Sequence, residues 1–326
     1  MYLRADGSDT GDCTNTSPCA TFNYAFSKVT AQRSVVHLMG GLFNVGDNTV
    51  VIGPSVYIDG EGTEMLRQTA GPVFTSSGAG SAILSELVFI PGSDLAISAG
   101  SVELHHVHLF SKVALTGGTL EIARSTLETG GAVNCTNAAN LSIHDSLSHI
   151  GLLSPYSCNV TLQRNRFETD SSITLNGGAG LEIVENNVIV AKDYFTDGML
   201  IGGRAGTRVR FNTFVNLSGV DMGATSLSCS PGTEVSSNIF AWHSHAAPCA
   251  SRYSLFDEFI AQQPGEGNKS GSVASFFVDL AGGDFHLAPS SPAKSAAEPN
   301  LDVPTDLEGT PRPTTGQPDI GAYEAP

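Results

Sequence analysis

Between positions 170 and 221 lie the polar side chains whose types could carry chemistry: Asp170, Lys192, Asp193, Tyr194, Asp197, Arg204 and Asp221. A β-elimination beside a sugar carboxylate needs a base at the C5 proton and a cation or Ca²⁺ to neutralise the uronate. Lys192 or Tyr194 has the type for the base, and Arg204 for the neutralising cation. Asp170, Asp193, Asp197 and Asp221 are alternatively oxygen donors of the kind that Ca²⁺ takes. A hydrolytic route would use two of those carboxylates, such as Asp193 and Asp197, as acid and base or nucleophile. The competing reading is that Asp and Gly in such stretches are ordinary solvated turn residues.

A second set is cationic. Arg124, Arg164, Arg166, Arg204, Arg208 and Arg210 fall in one stretch, with His105, His106, His108, His144 and His149 in the same part of the chain. Arg164, Arg166, Arg204 and Arg210 are the candidates for contacting an anionic polymer, and Trp242, beside His243 and His245, for stacking on a sugar. The spacing places His106, Arg124, Asp145, Arg164 and Glu185 in one exposed column, which reads equally as a ladder of surface ion pairs. The histidine pairs have no third ligand close by in sequence, which argues against a metal among them.

These groups need a frame, and the composition narrows it. The 326 residues include 36 Gly and 16 Pro, and charged residues make up only 15 %. Lysine is confined to Lys28, Lys112, Lys192, Lys269 and Lys294. Many short strands with tight corners suit this better than long amphipathic helices. The formal net charge of −16 sets the chain against nucleic-acid phosphates. No apolar run approaches the ~20 residues that span a bilayer.

One pattern recurs through the middle: an apolar residue, a small or polar residue three positions on, and another apolar residue two further on. It reads Leu84-Leu87-Phe89, Leu104-Val107-Leu109, Ile122-Ser125-Leu127, Ile143-Ser146-Ser148, Leu162-Asn165-Phe167, Ile183-Asn186-Val188, Val209-Asn212-Phe214 and Val235-Asn238-Phe240. Each unit is strand, corner, strand, and a unit of about 20 residues must stack on its neighbours to bury its apolar side. Stacked parallel coils bring equivalent residues about 4.8 Å apart, so the apolar positions form columns. Asn165, Asn186, Asn212 and Asn238 occupy the corner, where Asn tolerates a left-handed backbone and stacked amides bond to neighbouring turns. The fold class is therefore all-β: a single-stranded right-handed parallel β-helix, a solenoid.

Stacking also explains the six cysteines. Cys135 and Cys158, and Cys229 and Cys249, are each about one coil apart, while Cys13 and Cys19 share an opening loop. Three disulfides in an oxidising compartment follow, two of them between adjacent rungs. No pair has the spacing of a structural zinc site.

The ends read differently. Residues 1–48 are expected to form an N-terminal cap, with a helix over Thr21–Val29 covering the open end of the coils at 49–255. Tyr2-Leu3-Arg4-Ala5-Asp6-Gly7, Pro18-Cys19-Ala20-Thr21 and Val35-Val36-His37-Leu38 resemble the opening of secreted bacterial right-handed parallel β-helix proteins, polysaccharide-lyase-like members among them. Gly283-Asp284-Phe285-His286-Leu287, Asp306-Leu307-Glu308-Gly309-Thr310-Pro311 and Pro318-Asp319-Ile320-Gly321-Ala322-Tyr323-Glu324 resemble their closing segment. The resemblance implies a pectin-lyase-like fold, with residues 256–326 forming a last coil, a C-terminal cap and a Pro-rich wrapping tail. It does not fix a reaction, since that group mixes lyases, hydrolases, epimerases and adhesins. The paired Asp-Asp and the Gly-His-Gly of polygalacturonase-type hydrolases are absent from the sequence. The expectation is a secreted or cell-surface monomer, its leader removed before Met1. The expected activity is binding of an acidic polysaccharide, with its cleavage as an added step, Ca²⁺ as an optional cofactor, and neither nucleic acid nor a membrane span involved. The alternative is a non-catalytic structural or adhesive surface module.

Overall fold

Alternation of inward apolar and outward polar residues, repeated coil after coil, leaves each short strand only one way to bury its inner side: against the strand above and below. The computed structural model of the chain has that architecture. It describes residues 1–45, 49–53, 55–66, 71–149, 153–155, 157–169, 173–175, 180–192, 199–201, 205–217, 227–241, 249–258, 264–299 and 302–325. The chain divides into two compact units, Met1–Ser142 and Ile143–Pro326. The fold is a right-handed parallel β-helix in which every coil contributes strands to up to three faces.

In the first unit the first face is built from Val35–Leu38, the start of Val56–Leu66, the start of Ser81–Phe89, Ser101–His105 and Thr119–Ala123. Their register is strict: Ile58 lies beside Leu84, Leu84 beside Leu104, and Leu104 beside Ile122. The second face carries Phe43, Met65, Phe89, Leu109 and Leu127 in register. The third runs through Val50–Ile52, Pro72–Ser76, Asp94–Ile97, Lys112–Leu115 and Ala132–Cys135. Coils are thus paired well before Leu84, where the repeat first becomes readable in the sequence. Between the third face and the next coil the chain turns at Gly100 and Gly118, with φ of +76° and +75°. A Cβ at either would collide with the carbonyl oxygen of the coil below, Gly80 O and Gly100 O respectively, so only glycine fits this tight stack. The helix is short, Phe22–Phe26, capped by Thr21, whose hydroxyl accepts from the Tyr24 amide.

In the second unit the first face holds Asn159–Gln163, Glu182–Glu185, Arg208–Arg210 and Glu234–Ser236, and the second holds Arg166–Thr169, Val188–Ala191, Thr213–Asn216, Ile239–Ala241 and Leu255–Asp257. Inside, Phe214, Phe240 and Phe256 stack face to face at 5.1 and 5.0 Å, the rung spacing itself.

The register corrects one reading from the sequence. Leu162 pairs with Val184, not Ile183, and Phe167 with Ile189, not Val188. The ladder residue of that coil is accordingly Asn187, and Asn186 occupies the corner before it with φ +55°. Two consecutive asparagines between two apolar pairs leave the alternation ambiguous by one residue, and a one-residue slip exchanges inside for outside. The left-handed corner is borne throughout by the residue before the ladder position: Glu86, His106, Arg124, Asp145, Arg164, Asn186, Phe211 and Ser237. Glu185 is therefore not the fifth member of that column; it lies one residue earlier and is buried.

What the ladder asparagines do is satisfy backbone groups. Asn212 Nδ2 donates to Val184 O at 2.9 Å, Arg210 O at 3.1 Å and Asn238 Oδ1 at 3.0 Å. Its Oδ1 accepts from the Asn187 amide at 3.0 Å and from Asn187 Nδ2 at 2.9 Å. The ladder runs Ser146, Asn165, Asn187, Asn212, Asn238, Ser254 and Asn268. It helps hold corners whose left-handed conformation costs about 1–2 kcal/mol for a residue with a side chain.

No cysteine is free. Cys13 bonds Cys19 and Cys229 bonds Cys249, with Cα separations of 4.8 and 5.6 Å; Cys135 and Cys158 are disulfide-bonded as well. Among the described residues no helix is long and apolar enough to cross a membrane.

Candidate functional site

On the second face of the second unit, residues at alternate positions of Arg166–Thr169 point outwards, so Arg166 and Glu168 share one side. The next coil pairs Glu168 with Val190, and Lys192 follows two residues on. Lys192 Nζ donates to Glu168 Oε2 at 2.8 Å, and Arg166 Nε donates to Glu168 Oε1 at 2.6 Å. Burial alone would raise the Glu168 carboxyl, but hydrogen bonds and charge from Lys192 and Arg166 outweigh it and hold the group below the usual range. Lys192 keeps 45 % of its side chain exposed.

Arg166 is fixed from the other side by the closing segment. Its Nη1 donates to Gly283 O at 3.3 Å and its guanidinium stands 5.2 Å from the Phe285 ring. Strand Asp284–Leu287 also presents His286, whose Nδ1 lies 2.6 Å from Asp284 Oδ1 and whose Nε2 lies 3.3 Å from Glu308 Oε2. The imidazole packs on the Tyr323 ring at 4.3 Å. Burial lowers the His286 pKa, yet the two carboxylates more than reverse this, and the net shift is upward. Burial pushes the Tyr323 phenol up to about 12, with Arg166 pulling in the opposite direction. The arrangement therefore offers an accessible ammonium, a fixed guanidinium and a phenol that holds its proton. Such a set suits binding an anion better than abstracting a proton.

The remaining cations sort by burial. Arg164 makes a two-pronged pair with Asp145, at 2.6 and 2.9 Å, and His144 adds a third contact at 2.8 Å. Arg210 is buried against Glu185, with side chains 7 % and 6 % exposed, and Gln163 donates to the other Glu185 oxygen at 3.1 Å. Its charge is spent inside the corner, so Arg210 does not face a polymer as the sequence reading had it. Asp170, Asp193, Tyr194, Asp197, Arg204, Asp221 and Trp242 lie outside the described residues, as do His243 and His245. The structure thus brings Lys192 and Arg166 together across Glu168 and holds Arg164 and Arg210 in separate pairs.

Glu168, Asp284, His286, Glu308 and Tyr323 were not singled out from the sequence. The Arg-x-Glu alternation at 166–168 was a usable signal for the first. The others belong to the closing segment, which read as architecture alone.

Among the described residues this is a half-exposed charged cluster on the outer wall of a right-handed parallel β-helix, and the fold is the pectin-lyase-like one. The crystal structure of pectate lyase Pel9A is similar in fold, with a TM-score of 0.70 over 100 % of this chain and 97 % of that one at 13 % identity. No family model matches the chain, and no curated protein matches it significantly.

Proposed function

We propose that this protein is an extracellular β-helix that binds an acidic polysaccharide on the outer wall around Lys192, with cleavage of the bound polymer, by β-elimination or hydrolysis, as the activity to be tested. The observation that carries this reading is the Lys192–Glu168–Arg166 cluster, where an accessible cation is held in fixed geometry within an otherwise acidic protein. The full-length likeness to a pectate lyase supports the choice of polymer, and the disulfides support an oxidising compartment. In this reading Lys192, Arg166, Arg164 and Arg204 meet the carboxylates of the polymer, and Trp242 meets a sugar face. Lys192, Tyr194, Asp193 and Asp197 are the candidates for proton transfer, and Asp170 and Asp221 for Ca²⁺.

A second reading, a non-catalytic adhesive module, has its own support: Arg164, Arg166, Lys192 and Arg210 each carry a carboxylate partner. A panel of polyuronates incubated with the protein, with Ca²⁺ and with chelator, separates the two. Ultraviolet absorbance of unsaturated uronate ends, lost in Lys192→Ala, is the expected result for a lyase; new reducing ends without that absorbance mark a hydrolase. Retention on an immobilised polyuronate with no product favours the adhesive reading. Neither product nor retention, with Lys192→Ala indistinguishable from the parent, refutes the proposal.

A further inference from the structure

The closing segment meets the Lys192–Glu168–Arg166 wall through strand Asp284–Leu287, on which Asp284 and His286 alternate with the buried Phe285 and Leu287 and so face outwards. Each ring nitrogen of His286 looks at a carboxylate: Nδ1 at Asp284 Oδ1, 2.6 Å away, and Nε2 at Glu308 Oε2, 3.3 Å away. An ionised carboxylate only accepts, and a neutral imidazole donates from one nitrogen alone, so only the imidazolium satisfies both contacts. The two partners differ in kind. Asp284 is local and also accepts from the His286 amide at 3.1 Å. Glu308 belongs to the wrapping tail, in a turn set by Asp306 Oδ1, which accepts from the amides of Glu308 and Thr310 at 2.9 and 2.7 Å. His286 therefore ties the strand to the tail, and the chain just before it holds Arg166 through Gly283 O and the Phe285 ring.

We propose that His286 is a proton-controlled clasp that regulates binding of an anionic polymer at the wall around Arg166 and Lys192, which rests on the polymer-binding reading above. With the ring charged, Glu308 is tied and its charge is offset. Once the ring is neutral, one nitrogen no longer donates, and the longer contact, to the exposed Glu308, is the one that gives way. An uncompensated carboxylate then stands beside the wall and repels a polyanion. The charged groups acting on the ring, or on the Tyr323 ring packed against it at 4.3 Å, are Asp284 on the same strand, Glu308 and Asp306 on the tail, and Arg166 on the coil. Burial disfavours the charged ring, but Asp284 and Glu308 outweigh it and raise the pKa above the ordinary 6.5. Tyr323, pushed up to about 12 by burial, stays neutral throughout. The clasp is thus closed below about pH 6.5 and opens as pH rises through the folded value, and binding weakens in that direction.

The test measures affinity of the full chain for immobilised polygalacturonate at fixed ionic strength, from about pH 5.5 to about pH 9, a range over which ordinary carboxylates stay ionised. Affinity is expected to fall about two- to fivefold with rising pH, the scale of one half-exposed charge. The fall should follow the titration of the His286 imidazole, read by NMR on the parent chain, which needs no variant to fold. His286→Asn should lose the step and bind at the weaker level. Glu308→Gln should give a smaller step at lower pH, because one of the two carboxylates that favour the charged ring is gone. A parent profile without a step, the same step in His286→Asn, or His286 titrating at or below about 6.5 would overturn the clasp and leave polymer binding standing. No retention at any pH overturns the polymer reading, and the clasp with it.

Discussion

The two units turn the same corner with different interiors. In the first, the left-handed residues Glu86 and His106 are followed by Leu87 and Val107, both fully buried. Of the corner residues Glu86, His106 and Arg124, only Arg124 is followed by a polar residue, Ser125, whose Oγ accepts from the Val107 amide at 3.1 Å. In the second, Arg164, Asn186, Phe211 and Ser237 turn the corner and Asn165, Asn187, Asn212 and Asn238 follow. The backbone path is therefore set by stacking, and a coil can complete its corner with apolar burial or with a polar ladder. The outer surfaces differ in a matching way. Val188, Val190, Val215, Ile239 and Leu255 are covered by Val273, Phe276, Phe277, Phe285, Ala293 and Ile320 of the closing segment. Arg312 lies over the Phe211 ring at 4.0 Å and donates to Asn186 Oδ1 at 2.8 Å. In the first unit the equivalent corner presents His106 and Arg124, both exposed.

The largest effect expected of breaking this contrast comes from the buried pair. Arg210→Met should cost about 3–5 kcal/mol, because Glu185 is left charged and buried, whereas Arg210→Met with Glu185→Leu should recover most of the loss. Denaturant unfolding of both variants checks this; equal losses in both would mean that the pair is not the source. Next, Asn212→Ala strands backbone and amide groups on both sides of its rung and should cost about 2–3 kcal/mol, against about 1 kcal/mol for Ser125→Ala in the first unit. Similar losses at the two positions would show that the ladder adds nothing that a serine does not.

Smaller, and opposite in sign with pH, are two surface groups. Burial opposes ionisation of Asp145, but Arg164 and His144 lower its pKa on balance. Its contribution is present above the unfolded carboxyl value of about 3.9 and disappears as pH falls through the lower folded value. His286 has a raised pKa, so its contribution is complete below the unfolded value of about 6.5 and disappears as pH rises through the folded one. Asp145→Asn should therefore flatten the acid limb of stability, and His286→Asn the limb above neutrality, in melts taken across pH. The smallest effect on stability is expected of Lys192→Ala, at most about 1 kcal/mol for a half-exposed pair. That is why its effect on polymer cleavage is informative.

How far the sequence reached can be seen residue by residue. Leu84, Leu104 and Ile122, and Leu162 and Val209, sit in the inner columns expected from the repeat. Ile183 does not, because Asn186 and Asn187 offered two registers and only the pairing with Leu162 chooses between them. The helix is confined to Phe22–Phe26 rather than reaching Val29. Glu168 is not legible as a site residue because its partner Lys192 is 24 residues away.

Period and composition alone determined that the chain is a parallel β-helix with bonded cysteines, because an apolar residue recurring once per coil can be buried only by stacking. Tertiary structure decided which polar residues meet. Connections of unequal length shift the register from coil to coil, so partners that touch across one rung stand at no constant separation in the sequence. The charged residues of residues 1–326 were legible as types; whether each is paired, buried or accessible became a fact only when the coils were stacked.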